Sequence, residues 1–448
     1  MKIQRIVLFS IIGLIAGIYI YMNPLLPIIT GYSAKNLASG VFVSERSKQS
    51  VEKEDLNFSF IKFNHNKIDF SKKEVTSSFL WHSSKAVYID GFGCSLVNDF
   101  KSEEMLKRSY QKINILPERP DTMAWPTGDK IQGLSPIGVN MTKMNAVISK
   151  AFSNTENHRG TFAVMVVYKG QPIIEKYRSD FNSKSLFLSW SMAKSVTNAL
   201  TGLLVKEGKL NINKPIPFKE WENDGRKNIT INNLMHMNSG LDWNEDYGTC
   251  SDVNDMLHKE GDMGSYALNK KYKYPADSVW QYSSGSTNII SMLIRNSFGK
   301  NAEYYAFPRK RLFNKIGMRS AIFEVDASGT FVGSSYLYAT MRDYARFGLL
   351  YLNNGKWQGN QVLPIDWVKY TTTEAKGSDG QYGAFFWLNK SGKDYPDVPR
   401  DMFYCKGHNG QYIYIIPSKQ LVVVRTGFSP KGTYDFNEFL SGITSAVE

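Results

Sequence analysis

Ser191 and Lys194 stand three residues apart in Ser191-Met192-Ala193-Lys194, at the head of an apolar-periodic stretch. A serine hydroxyl is a weak nucleophile at its own pKa and needs a base within hydrogen-bond reach. On a helix, positions i and i+3 share a face, so an amine at 194 can reach an oxygen at 191. A helix N-terminus also favours the negative charge that an attacked carbonyl develops. For Lys194 to take a proton its pKa must fall, and burial is what lowers it. The pattern alone is common: Ser-x-x-Lys occurs at Ser50, Ser59, Ser109, Ser191 and Ser297. Only Ser191 opens a well-patterned helix, with Val196, Leu200, Leu203 and Leu204 on its apolar side. Serine is also a preferred N-cap, so Ser191 has a purely structural reading too.

Two further groups carry chemistry. Tyr282-Ser283-Ser284 precedes the helical run Asn288–Ile294, and a phenolate there, or its hydrogen-bond partner, can share the proton with Lys194. Gly407-His408-Asn409-Gly410 precedes the strand-like run Gln411–Ile416. Glycine before a strand lets a ligand approach the backbone, and the Gln411 amide can then donate to an oxyanion. His408 can orient a substrate carbonyl. Cys405 reads as buried filler, since no basic partner can be named for it. The sequence has no G-x-S-x-G, H-E-x-x-H or G-x-x-x-x-G-K-[ST], so an α/β-hydrolase, a zincin and a P-loop NTPase lose support.

The elements that must position these groups begin near Asn140. Met141–Phe152 has helical periodicity. Thr161–Tyr168 and Gln171–Tyr177 flank the turn Lys169-Gly170 and read as a hairpin. The helix from Ser191 runs to about Lys206 and closes at Gly208. A mostly helical middle follows, about 210–325. Asp343–Leu352 reads as a helix. The strands Gln411–Ile416 and Leu421–Thr426 and a helix over Asn437–Val447 complete the chain. That order implies one antiparallel sheet assembled from both ends of the unit and flanked by helices, an α/β mixed fold with a helical subdomain.

Upstream, Lys2 and Arg5 precede the uncharged apolar run Ile6–Met22, and the next charge is Lys35. The run matches the lower limit of a membrane span, roughly 17 residues. Its basic flank predicts a cytoplasmic N-terminus and an exported remainder. The region 1–34 is therefore expected to be a membrane anchor. That places the protein on the extracytoplasmic, periplasmic side of the inner membrane, with secretion after signal cleavage as the alternative. Residues 35–139 read as a linker plus a small β-rich accessory segment, with an irregular connector marked by Pro117, Pro120, Pro126 and Pro136. The net charge of +13 comes from lysines spread along the chain, and no nucleic-acid motif accompanies them. The three cysteines, Cys94, Cys250 and Cys405, form no C-x-x-C, and an odd count leaves at least one unpaired within the chain.

Ser191-x-x-Lys194, Tyr282-x-Ser284 and His408-x-Gly410, in this order and these contexts, resemble the penicillin-recognising serine hydrolases: β-lactamases, D,D-peptidases and related esterases and amidases. Ile229–Leu241, Tyr338–Leu350 and Gly355–Trp367 resemble further segments of the class C-like members. The resemblance covers roughly Asn140–Glu448. It implies an acyl-enzyme on Ser191, acid–base work by Lys194 and Tyr282, and an oxyanion hole from the backbone amides of Ser191 and Gln411. It also implies substrate contacts from Ser284, His408 and Gly410, with no metal or organic cofactor. His408-Asn409-Gly410 stands where β-lactamases carry Lys-Thr-Gly, whose lysine recognises a carboxylate. Ser284 stands where they usually carry asparagine. Both departures resemble the carboxylesterase and 6-aminohexanoate-dimer hydrolase branch. The expected substrate is a small molecule or short peptide with an ester or amide bond. The alternatives are a D,D-peptidase or β-lactamase and an inactive binding module on the same scaffold.

Overall fold

The computed structural model describes residues 2–108, 123–131, 137–153 and 160–448. Of the four connector prolines, Pro126 lies among them; Pro117, Pro120 and Pro136 lie outside the described residues. Helix α1, Lys2–Met22, is exposed from Ile3 to Tyr21 and buried at Met22, and α2, Leu26–Phe42, is almost wholly buried. A four-stranded antiparallel sheet follows in the order β1 (His65–Asp69), β2 (Glu74–Phe79), β3 (His82–Ile89), β4 (Gly93–Leu96).

This N-terminal unit is fastened to the rest of the chain. Glu324, fully buried, accepts from Lys35 Nζ at 2.5 Å, from Ser39 Oγ at 2.8 Å and from the Cys94 backbone N–H at 2.7 Å. A buried carboxylate is tolerated because it is paired and hydrogen-bonded on both oxygens. The polar stretch expected as a linker contains the helix Lys48–Glu54, and Glu54 accepts from Arg178 Nη2 at 2.8 Å. A boundary at residue 34 therefore cuts through α2. Lys35, which the sequence offered only as the first charge past the anchor, is an internal ion-pair partner.

In the rest of the chain, α3 (Met141–Ser153) leads into β5 (Gly160–Tyr168) and β6 (Gln171–Tyr177), then α4 (Met192–Lys206). Helices α5 (Ser284–Asn296) and α6 (Met341–Leu352) follow. Strands β7 (Trp387–Leu388), β8 (Phe403–Gly407), β9 (Gln411–Ile416) and β10 (Leu421–Phe428) and helix α7 (Phe436–Thr444) close the chain. The large sheet has the order β7-β8-β9-β10-β5-β6, and every neighbouring pair is antiparallel. The C-terminal β10 pairs with the N-terminal β5, so both ends of the unit build one sheet.

All nine β5 residues are buried. Ala163, Met165 and Val167 face the core that holds α4 and α6; Val164, Val166 and Tyr168 face α3 and α7. A strand covered on both faces loses the polar alternation of a half-exposed one. Helix α4 was expected to be amphipathic and is instead buried all round from Met192 to Leu204. Its polar residues are satisfied inside the core: the Asn198 amide donates to the Ala384 carbonyl, and its Oδ1 accepts from Tyr351 and Trp367. The three cysteines are free thiols.

Candidate active site

Ser191 sits at the start of α4, on a turn of unusual backbone. Trp190 has φ +45°, the left-handed region that a bulky residue rarely adopts. It is held there by the rings of Tyr32, Tyr336 and His408, with centroids 5.4 to 6.2 Å away. Backbone strain of this kind collects at functional sites. Ser191 takes the N-cap position, but its side chain makes no capping hydrogen bond. Its Oγ instead accepts from Lys194 Nζ at 3.0 Å. The capping explanation for a serine at this position does not apply.

Lys194 is 1% exposed. Its Nζ also donates to Ser284 Oγ at 2.9 Å and to the Ser334 carbonyl at 3.0 Å, which uses all three ammonium protons. Burial pushes its pKa down to about 8, with the Glu245 carboxylate pulling the other way. The Ser334 carbonyl is placed by close packing. A Cβ on Gly333 would lie 2.2 Å from Ser291 Oγ and 2.5 Å from Thr197 Oγ1, so only glycine fits there. Asn288 then brackets Ser334, donating to its Oγ and accepting from its N–H.

Glu245 was not singled out from the sequence. Its Oε1 accepts from Ser284 Oγ at 2.5 Å, and its Oε2 accepts from the Ser284 N–H at 2.8 Å and from Trp243 Nε1 at 2.6 Å. Ser284 is the first residue of α5, so the carboxylate also meets a helix N-terminus. The Ser284 hydroxyl has one proton. Because it donates to Glu245, it can only accept from Lys194, and the chain Glu245–Ser284–Lys194–Ser191 has a fixed direction.

Tyr282 lies under Lys194, whose Nζ is 4.9 Å from the ring centroid. Trp387 and Tyr382 pack on the same ring at 5.4 and 5.7 Å. Burial, then the Glu245 charge, drive its phenol far above the ordinary range, and hydrogen bonding with Ser191 opposes them more weakly. The resting form is therefore the neutral phenol. A resting phenolate, one of the forms open on sequence grounds, is disfavoured by this environment.

The opposite wall is the β8–β9 hairpin. Its loop is His408, Asn409 (φ +57°) and Gly410 (φ +91°), closed by the pair Gly407–Gln411. Gly407 lies against the turn that leads into Ser191: a Cβ there would stand 2.2 Å from the Ser189 carbonyl oxygen. The His408 ring stacks on Tyr247 at 4.8 Å and meets Trp190 edge-on at 5.4 Å. Burial pushes its pKa down to about 4, so the imidazole is neutral at physiological pH. Cys405 is buried beside α4 with its pKa pushed up to about 12, which leaves an inert thiol.

Ser191, Lys194, Tyr282 and Ser284 thus converge, and His408 faces them. Gln411 does not join them. It opens β9, an interior strand paired on one side with β8 and on the other with β10. Its side chain donates to the Gly427 carbonyl and accepts from the Gly427 N–H, bridging a register shift in β10. Gly410 forms the far side of the loop, where a Cβ would lie 2.3 Å from Arg425 Nη1. Strand β7 pairs only with Phe403 and Tyr404, so the open edge of the sheet is Cys405–Gly407 on β8. Among the described residues no group of three or more His, Cys, Asp or Glu side chains is placed to hold a metal ion.

Comparison with known proteins shows likeness in sequence and in fold. A 6-aminohexanoate-dimer hydrolase of Paenarthrobacter ureafaciens is 24% identical over 247 residues, which is 50% of this chain and 61% of that protein. A Bacillus anthracis structure assigned to the 6-aminohexanoate-dimer hydrolases superposes with TM-score 0.57 at 23% identity, over 74% of this chain and 89% of that one. A family VIII carboxylesterase gives TM-score 0.55 at 14% identity, over 70% and 98%. These structures share the fold. The family model described as Beta-lactamase matches residues 144–431, from within α3 to just past β10, and the chain belongs to that family.

Proposed function

We propose that the protein is a serine hydrolase that cleaves a carboxylic ester or amide through an acyl-enzyme on Ser191. The observation that carries this reading is the buried Lys194, with its pKa near 8, donating to a serine hydroxyl that caps nothing. In its neutral form Lys194 accepts the Ser191 proton as Oγ bonds to the substrate carbonyl carbon, and the carbonyl electron pair moves to oxygen. When the tetrahedral adduct collapses, the leaving oxygen or nitrogen takes a proton from the Tyr282 phenol, which Lys194 refills. Water then repeats the sequence on the acyl-enzyme. The Glu245–Ser284 pair orients Lys194.

For the oxyanion we assign the Ser191 N–H and the backbone N–H of His408. The open edge of β8 and the contact of Gly407 with Ser189 favour this donor over Gln411. A neutral His408 in place of a carboxylate-binding lysine supports ester and amide substrates and counts against penicillins and D,D-peptides. The relatives' names, for hydrolysis of a 6-aminohexanoate dimer and for carboxylester cleavage, support the same class. Helix Ile3–Met22 is long and apolar enough to cross a bilayer, and its side chains are exposed up to Tyr21. We assign it as an uncleaved anchor that holds the enzyme on the extracytoplasmic side.

Ser191→Ala is expected to abolish hydrolysis of short-chain nitrophenyl esters while the circular dichroism spectrum is unchanged. Full turnover by this variant would refute the nucleophile assignment.

A further inference from the structure

Outside α1, four large exposed apolar side chains gather at one end of the accessory sheet. Phe60 and Phe63 project from the 3-10 turn Ser59–Phe63, and Leu80 and Trp81 form the two-residue turn joining β2 to β3. They are 39, 57, 58 and 48% exposed. Phe79 joins them, its ring 6.4 Å from Phe60 and 6.2 Å from Phe63.

The turn chemistry is wrong for water. Leu80 has φ +53°, where a hairpin turn usually places glycine or asparagine, yet the position carries an exposed leucine followed by an exposed tryptophan. Helix α1 ends at this same place. The Tyr19 ring stacks on Trp81 at 5.1 Å, and Trp81 Nε1 donates to Asn23 Oδ1. Phe79 packs against Met22, Leu26 and Ile29 at the joint between α1 and the buried α2.

Resting on the reading of α1 as a membrane span, we propose that this end of the accessory sheet is a second membrane-contacting surface. Phe60, Phe63, Leu80 and Trp81 enter the headgroup region of the leaflet from which α1 emerges. A spanning α1 brings Tyr19–Met22 to the interface, and these four side chains surround that exit. Aromatic side chains favour this zone, where an apolar ring and a polar edge are both satisfied. The catalytic unit then stands on the bilayer at a fixed tilt, because α2 is locked to Glu324 and only three residues separate it from α1. Phe70 is the internal control: it is 69% exposed, but it lies at the opposite end of the β1–β2 pair and packs on Phe42.

The test uses full-length protein in vesicles of phosphatidylethanolamine and phosphatidylglycerol in equal parts. A nitroxide is attached at Gly13→Cys, Phe63→Cys, Phe70→Cys or Leu80→Cys in a Cys250→Ser background, since Cys250 is the exposed thiol. Each labelled variant must retain ester turnover as its fold check. Labels at 63 and 80 are expected to favour collisions with oxygen over a nickel chelate severalfold more than the label at 70. Aqueous labels at 63 and 80 with a bilayer-embedded label at 13 would overturn the surface and leave the anchor standing. A label at 13 that is aqueous or cleaved away, with 63 and 80 still in the interface, would overturn the anchor and leave the surface standing. Aqueous labels at 13, 63 and 80 would overturn both.

Discussion

The two walls of the candidate cleft are built on opposite principles. The α4–α5 wall is polar and hydrogen-bonded throughout: Glu245, Ser284, Lys194 and Ser191 form one directed chain. The β8–β9 wall meets it with rings and backbone. His408 is neutral, stacked on Tyr247 and edge-on to Trp190, and Gly407 presses on the turn that leads into Ser191. The hydrogen-bonded chain that reaches Ser191 lies on the first wall, and the second meets it with rings and backbone. Substitutions on the first wall should therefore change how rate depends on pH. Substitutions on the second should change rate without moving the pH limb.

The largest effect is expected on the first wall. Lys194→Ala removes the base and should lower kcat/KM for nitrophenyl esters by about 10²–10⁴-fold. A loss much smaller than this would move the base role to Tyr282. On the second wall, Gly407→Ala puts a methyl group against the Ser189 carbonyl and forces the hairpin away from Ser191. Displacing a site by about 1 Å can cost about 10²-fold in rate. That loss should appear in kcat/KM with an unshifted pH limb and an unchanged circular dichroism spectrum.

Glu245→Gln sharpens the comparison through pH alone. Lys194 must be neutral to accept a proton, so kcat/KM should rise with pH and level off above about 8. Glu245 raises the Lys194 pKa, so removing its charge should move the limb to lower pH. A limb that stays in place would detach Glu245 from Lys194. The smallest effect belongs to His408→Phe, which keeps the stacking and removes one polar contact. A roughly fivefold loss of kcat/KM is expected, about the net value of a single hydrogen bond, with no shift of the limb.

Local pattern made much of this molecule legible in advance. The runs Gln171–Tyr177 and Gln411–Ile416 are strands with those ends, and the 191–206 run is helix α4 with Ser191 at its cap. Ser191 and Lys194 stand out by spacing and helix context, whereas Tyr282 and Ser284 are singled out by the resemblance of Tyr282-x-Ser284 to the penicillin-recognising hydrolases. Glu245 was invisible because its contacts come from a loop with no periodicity, 39 residues from Ser284 in sequence. The choice of Gln411 as amide donor identified a strand start correctly but not its neighbours. Sheet order decides which edge is open, and order is a long-range property. Lys35 failed for the same reason: its partner, Glu324, lies 289 residues away.

The most direct measurement is intact-mass spectrometry after brief mixing with an activated ester, followed by peptide mapping. The account predicts one added acyl group, carried by the peptide that contains Ser191 and absent from Ser191→Ala. An acyl group on another residue, or catalytic turnover with equal rates in both proteins, would contradict it.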